Sequence, residues 1–300
     1  MTHHIRIHHE VAEGLSHGKP VVALESTIIA HGMPWPNNLE TALRVQDVIR
    51  KHGAIPATIA VIEGDICVGL GDDELEFLAK SDNVLKLSRR DLPYAVSAKR
   101  TGATTVSATM IVAEKANIRV FVTGGIGGVH KGVAESWDIS ADLTELGKTD
   151  VAVVCAGAKS ILDIGKTLQF LETEGVPVLG YQTDHFPAFY LESSGFNVDY
   201  RMNTVEELAS FVRTKYEVGM EGGIVVGNPI PTEHALDQQI FDAALVQAHE
   251  QADKLNIQGK DVTPFLLDAI KKLTEGKSLE SNIELVLNNA RLGAELAAAL

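Results

Sequence analysis

Val151-Ala-Val-Val-Cys-Ala-Gly-Ala-Lys159 decides how the chain is read, because no charge interrupts it between Asp150 and the lysine that closes it. An apolar run of this length predicts a buried strand. A lysine carried to the end of a buried strand can lose its proton, and an unprotonated amine is a nucleophile. Two more segments share this grammar. Val21-Val-Ala-Leu-Glu25 brings a carboxylate to a strand end, and Val120-Phe-Val-Thr-Gly-Gly-Ile-Gly-Gly128 brings a glycine-rich turn. Together they point to an enzyme site rather than a binding surface.

Outward from these runs, β-rich segments at 20–24, 56–62, 119–123, 151–155, 176–180 and 223–227 alternate with helical patterns. That is the ordering expected when crossover helices join the strands of a mainly parallel sheet. Leu39, Ala42, Leu43, Val45, Val48 and Ile49 predict a helix over about 38–52 that Gly53 stops. Ile161, Ile164, Leu168 and Leu171, closed by Gly175, predict another. Lys159 then stands between a strand and its helix, where open α/β sheets place ligands. Beyond residue 232 the β signal disappears, and helices near 232–256, 262–274 and 279–298 form a C-terminal helical segment. The expectation is one catalytic α/β domain over 19–300, preceded by an N-terminal leader at 1–18. His3, His4, His8 and His9 fall in that leader, which reads as a disordered or loosely docked tail rather than a metal site.

Composition narrows the functional classes. With 45% hydrophobic residues, the 300-residue chain suffices for a large core. A formal net charge of -14 and the absence of any basic tract argue against a nucleic-acid partner. A small anionic substrate remains compatible, since local cations and helix N-termini act at short range. Cys67 and Cys155 lie in apolar runs without a partner motif and read as reduced core residues of a cytoplasmic protein. No apolar stretch reaches the roughly 18 residues of a membrane span, and no signal-peptide pattern opens the chain.

Several motifs carry chemistry, each with a plainer alternative. The Gly124–Gly128 turn fails the G-x-G-x-x-G register, because a count from Gly125 places His130 at the sixth position. Its glycines still let backbone N–H groups approach an anion, and Thr123 adds a hydroxyl. Alternatively it is a tight turn with nothing bound. Asp138-Ile-Ser-Ala-Asp142 offers hard oxygen ligands suited to Mg²⁺ or Mn²⁺, or else an N-cap at Asp138 or Ser140 with acidic residues complementing a helix dipole. Lys86-Leu-Ser-Arg89-Arg90-Asp91 is a candidate phosphate clamp or a solvated run. Glu25 opens Glu25-Ser-Thr-Ile-Ile-Ala-His31-Gly-Met-Pro34, and a carboxylate at a buried strand end suits general acid–base work. His31 and His130 sit beside glycines and are second-tier donors. Lys159 itself could snorkel into water instead. Burial and a neighbouring cation favour the neutral amine, and Lys86 is that neighbour if the loops converge.

Taken in order, Val22–Pro34, Ser88-Arg-Arg-Asp-Leu-Pro93, Thr123–His130, Asp138–Asp142, Cys155-Ala-Gly-Ala-Lys-Ser-Ile-Leu162 and Gly227-Asn-Pro-Ile-Pro231 resemble the pseudouridine-5'-phosphate glycosidase family, of the indigoidine synthase A-like group. The resemblance runs from about residue 19 to 292. It implies a homotrimeric, Mn²⁺-dependent enzyme with a three-layer α/β/α fold and a mainly parallel central sheet. The implied reaction is the reversible splitting of pseudouridine 5'-phosphate with water into uracil and ribose 5-phosphate. By matching positions, the resemblance implies Lys159 as covalent nucleophile and Glu25 as proton donor. Lys86, Val106, Ser140, Ala141 and Asp142 would contact substrate, and Asp138 would bind the metal. Thr123 and Arg89 are added as phosphate contacts, and Asn282, in the asparagine-bearing Ser281–Asn289 stripe, as a phosphate or sugar contact.

The residue types fit that chemistry independently. A C–C glycosidic bond cannot be cut by protonating a leaving oxygen or nitrogen, so the usual carboxylate pair is insufficient. A lysine that captures C1' as a Schiff base divides the cleavage into two easier steps. The rivals are another class I, aldolase-like Schiff-base lyase acting on a phosphosugar, and a non-enzymatic nucleotide-binding module.

Overall fold

The structure is a computed structural model that describes residues 4–257, 259 and 262–300. It opens with β1 (Ile5–Ile7), α1 (His9–Ser16), β2 (Val21–Leu24) and α2 (Asn37–Lys51), followed by β3 (Ile55–Ile62), β4 (Asp65–Val68) and α3 (Asp72–Lys80). The short β5 (Leu85–Leu87), α4 (Leu92–Ser97) and β6 (Gly102–Thr104) lead into α5 (Val106–Lys115) and β7 (Val120–Val122). Next come α6 (Val133–Ser136), α7 (Ala141–Leu146), β8 (Ala152–Cys155), α8 (Ile164–Thr173) and β9 (Val178–Tyr181). The last strands, β10 (Tyr200–Met202) and β11 (Ile224–Gly227), flank α9 (Val205–Glu217), and α10 (Gln238–Lys254), α11 (Val262–Leu273) and α12 (Lys277–Ala299) close the chain.

The strands form one sheet in the order β1-β4-β3-β2-β7-β8-β11-β9-β10, with β6 attached to β3 and β5 to β6. Among the described residues only β3–β4 and β3–β6 are antiparallel. Every residue of β2, β7, β8 and β11 is buried. Strands covered on both faces lose the apolar–polar alternation of half-exposed ones, which is why these four read as continuous Val, Ala and Ile runs. α12 lies across β2, β7 and β8 beside α2 and α9, whereas α5 packs on β2, β3, β4 and β6 with α7 as its neighbour. The result is the expected three-layer α/β/α arrangement with a mainly parallel sheet and a helical C-terminal segment.

The leader differs from the sequence expectation. β1 pairs in parallel with β4, Ile5 opposite Ile66 and Ile7 opposite Val68, and the His8 N–H donates to the Val68 carbonyl at 2.9 Å. Val11 and Gly14 of α1 are buried, and Arg50 of α2 pairs with Glu10 at 3.0 Å. β4 would otherwise present an unpaired edge, and the leader satisfies it. His4 and His8 therefore flank a docked strand and His9 opens a docked helix, while His3 lies outside the described residues. The strands at β1, β5, β6 and β10 have three residues each, too short for a periodicity to show.

Candidate active site

The turn after β8 delivers Lys159. Ile126, past the end of β7, bridges Ala158, and the Lys159 N–H donates to the Ile126 carbonyl at 3.1 Å. The glycine turn and the lysine turn thus run side by side beyond the carboxyl ends of their strands. Gly157 makes this possible: its φ is +79°, and a Cβ there would lie 1.9 Å from the Pro187 carbonyl oxygen. The helix expected to follow at once begins instead at Ile164, capped by the Asp163 side chain. Lys159 therefore sits half-buried in an irregular turn, its carbonyl accepting the Leu162 N–H at 3.0 Å.

Glu25 follows β2, whose neighbour in the sheet is β7, and only 9% of it is exposed. Thr123 donates its hydroxyl to one carboxylate oxygen and Thr27 to the other. The carboxylate is thereby fixed from two sides, a requirement for a proton donor that must meet one substrate atom. The Thr123 hydroxyl, expected to face a phosphate, is engaged with Glu25. Thr27 is absent from the sequence-based candidates, although it stands two residues after Glu25 in the same motif.

Glu25 and Lys159 meet Lys86, from β5, in a continuous depression made of two clefts. A smaller one of about 520 Å³ is walled by Phe189, Leu267 and the Gly124–Gly125 backbone. A larger one of about 1540 Å³ opens toward Val106, Ser140, Ala141 and Asp142. Both clefts share Glu25, Thr27, Lys86, Lys159 and Thr263. Thr263 and Leu267 come from α11, whose approach to this end of the sheet left no mark in the local sequence.

On the large side the amino ends of α5 and α7 converge. Thr105 caps α5 by accepting the Ala108 N–H, and Ser140 caps α7 by accepting the Asp142 N–H. First-turn N–H groups have no partner within their helix, so Val106 and Ala141 present backbone donors where an anion would gain from both helix dipoles. Asp142, only 6% exposed, joins these elements. Its carboxylate accepts the Ser107 N–H at 2.9 Å and the Gly127 N–H at 2.8 Å. Residue 127 must be glycine here, since a Cβ would fall 2.2 Å from Ser140 Oγ.

The basic segment divides. Lys86 lines both clefts, whereas Arg89 makes a bidentate pair with the buried Glu145 at 2.7 Å through each nitrogen, a bond that raises the arginine above its ordinary value. Arg90 is 83% exposed, with Asp91 at 3.6 Å. The expected clamp reduces to Lys86 and the two helix ends, and Arg89 serves to hold the wall.

Asp138 and His130 face the larger cleft, their side chains 4.0 Å apart. Burial holds the His130 imidazole below its ordinary value, Lys159 and Lys86 push the same way, and Asp138 opposes. The ring is therefore neutral near pH 7. Among the described residues no three His, Cys, Asp or Glu side chains gather as a metal cluster. A single carboxylate at a solvent-open cleft suits a hard cation that keeps water and substrate oxygens as its remaining ligands, as Mg²⁺-like ions do.

The α12 asparagines have separate tasks. Asn289 is fully buried and donates to the Thr123 carbonyl at 2.9 Å, while Asn288 donates to the Pro229 carbonyl at 3.0 Å. Asn282 instead lines the smaller cleft, and its Oδ1 is buried without a hydrogen-bond partner among the described residues.

The model of the family described as indigoidine synthase A-like protein matches residues 10–299. The chain belongs to that family. Among its indigoidine synthase A-like relatives, the pseudouridine-5'-phosphate glycosidase of Alkaliphilus metalliredigens is 59% identical over 291 residues, covering 97% of this chain and 95% of that protein. The enzyme of the same name from Geobacillus kaustophilus is 58% identical over 288 residues, 96% of each chain. Of solved structures, the prealnumycin C-glycosynthase AlnA in complex with ribulose 5-phosphate superposes with a TM-score of 0.92 at 38% identity, covering 100% of this chain and 98% of that one. An indigoidine synthase A-like protein from Thermotoga maritima gives a TM-score of 0.90 at 35% identity, covering 99% and 97%.

Proposed function

We propose that this chain is a pseudouridine-5'-phosphate glycosidase, which reversibly cleaves the C–C glycosidic bond of pseudouridine 5'-phosphate with water to give uracil and ribose 5-phosphate. The observation that carries the reading is the meeting of Lys159, Glu25 and Lys86, from the turn after β8, the end of β2 and β5 itself, in one depression. The names of full-length relatives at 54–59% identity support it. So does the pentose phosphate held by AlnA.

The chemistry follows from the placement of the groups. Glu25 gives its proton to the ring oxygen as the C1'–O4' bond opens, and Nζ of Lys159 forms a bond to C1'. Protonation of the uracil carbon lets the C1'–C bond break, while the lysine nitrogen's lone pair moves in to form an iminium. Water then adds to C1', ribose 5-phosphate leaves, and the free amine returns. The N–H groups of Val106 and Ala141, together with Lys86, hold the phosphate end so that C1' stays against Lys159. Asp138 would hold Mn²⁺, which neutralises charge and orients oxygen ligands when bound. The same reading takes the enzyme as a cytoplasmic homotrimer, which sedimentation at three times the chain mass would check.

Incubating the protein with ribose 5-phosphate, uracil and Mn²⁺ is expected to give a pseudouridine nucleotide on chromatography, with yield lost on chelation and restored by Mn²⁺. No new nucleotide from folded, Mn²⁺-supplied protein overturns the assignment, and turnover of other phosphosugars alone would favour the aldolase-like rival.

A further inference from the structure

We propose that Ser26 and Thr104 are positioning residues that set the distance between Glu25 and the phosphate-holding end of the site. The inference rests on the activity proposed above and adds what aligns the acid with the anchor. Behind the cleft, β3 changes partner. Its first half runs parallel to β2 as far as Leu24 opposite Thr58, and its second half pairs antiparallel with β6 through Ala60 opposite Ala103. Ile59 stands at this fork, and its carbonyl accepts the Ser26 hydroxyl at 2.7 Å and the Thr104 hydroxyl at 2.6 Å. Ser26 Oγ accepts the Thr104 N–H at 2.9 Å, and Thr109 donates its hydroxyl to Thr104 Oγ1 at 2.9 Å.

All three hydroxyl residues are fully buried. Each hydroxyl has one proton to give, so the directions are fixed: Ser26 and Thr104 donate to Ile59, and Thr109 donates to Thr104. A buried network whose members are all satisfied holds its parts rigidly, because displacement strands a polar group away from water. The parts tied here carry chemistry. Ser26 lies between Glu25 and Thr27, whose side chains meet in the cleft. Thr104 leads into Thr105 and Val106 at the amino end of α5, and its neighbour Ala103 is paired with Lys86. The acid thus reaches the phosphate-holding groups through two hydroxyls and one carbonyl. A substrate anchored by its phosphate presents its ring oxygen at a set distance from that anchor, and the proton of Glu25 arrives only if the link keeps its length. A misplacement of about 1 Å costs on the order of 100-fold in rate.

Three variants separate positioning from packing. The Ser26 backbone is held without its side chain, the N–H by the Thr104 carbonyl at 3.3 Å and the carbonyl by the Ile29 and Ala30 N–H groups at 3.0 and 3.1 Å, so Ser26→Ala is expected to fold. Thr104→Val keeps the shape of the side chain and loses the hydroxyl, whereas Thr104→Ser keeps the hydroxyl and loses a buried methyl. For cleavage of pseudouridine 5'-phosphate, kcat is expected to fall about 10- to 100-fold in Ser26→Ala and Thr104→Val. The ribose 5-phosphate concentration that half-saturates borohydride trapping on Lys159 should stay within about threefold of wild type, because the free sugar opens to its aldehyde without Glu25 and its phosphate keeps the same N–H donors. Thr104→Ser should recover most of the kcat lost in Thr104→Val while melting below wild type, an order that a role in packing alone would reverse.

A kcat in Ser26→Ala within about twofold of wild type overturns the inference. So does an equal loss of kcat in both Thr104 variants, which makes the methyl rather than the hydroxyl decisive, or a half-saturation that rises in step with the loss of kcat, which puts the cluster on phosphate binding alone. If neither Ser26→Ala nor Thr104→Val folds, the cluster is structural and the inference falls. Wild-type protein that traps no adduct and cleaves no C-nucleotide sinks the activity itself, a failure seen before any variant is compared.

Discussion

Replacing Asp142 by alanine tests whether the large cleft is held open by one buried carboxylate. The side chain accepts two backbone N–H groups, from Ser107 in the first turn of α5 and from Gly127 in the glycine turn. Each such bond to a charged acceptor contributes about 1.5–3 kcal/mol, and both donors lie inside the protein, where water cannot replace the lost partner. Allowing for partial relaxation, the expected cost is about 3–5 kcal/mol, a size confined to a few mechanisms such as breaking a buried network. The substitution Asp142→Asn keeps one acceptor oxygen but turns an NH₂ toward the second donor, so about half that loss is expected. Urea unfolding at fixed protein concentration measures both, and the slope should stay near that of wild type. Because the carboxylate also sets the spacing of α5 and the glycine turn, the Kd for ribose 5-phosphate should rise more than tenfold in the alanine variant. An alanine variant within about 1 kcal/mol of wild type, binding sugar phosphate normally, would refute the claim that Asp142 organises the site.

Lys159→Ala should abolish turnover while the melting temperature moves by only a few degrees, because the residue's fold-related bonds are made by its backbone; a large stability loss would mark a structural lysine. Glu25→Gln should stop turnover but keep the fold, and near wild-type activity would remove Glu25 from proton transfer. Arg89→Ala leaves Glu145, whose side chain is 1% exposed, without its cation. The expected cost is about 2–3 kcal/mol, below that for a fully buried pair because Arg89 is half exposed, and a neutral result would mean Glu145 has other support. Burial pushes the Cys155 thiol up to about 12, so its thiolate is absent at pH 8.5 and forms only as pH rises toward that value. Iodoacetamide at pH 8.5 should leave Cys155 unlabelled in native protein and label both cysteines after denaturation; rapid native labelling of Cys155 would contradict its burial.

Much of the sheet was legible because its central strands are buried on both faces, and continuous runs such as 151–155 have few other structural uses. The amphipathic helices over 37–51 and 164–173 were equally visible, since one face of each must be apolar. The docked leader was not, because a three-residue strand acquires its identity from the edge it pairs with. In the site, Lys159 and Glu25 were marked by position, a charged residue directly after an apolar run. Thr27 carried no such mark, and Thr123 was read as a phosphate contact, since a threonine near a strand end serves many purposes; only the fold aims both hydroxyls at one carboxylate.

The sequence by itself determined which segments become buried strands and which residue types stand at their ends, because solvent exclusion and backbone hydrogen bonding act on local composition. Tertiary structure alone decided the assignments among similar residues. Arg89 went to Glu145 while Lys86 faced the cleft, and Asn288 and Asn289 went to backbone carbonyls while Asn282 faced it. In each case the deciding quantity is the direction of a side chain relative to elements far away in sequence. That direction depends on how helices such as α11 and α12 fold back over the carboxyl ends of the sheet, a packing relation that no local pattern encodes.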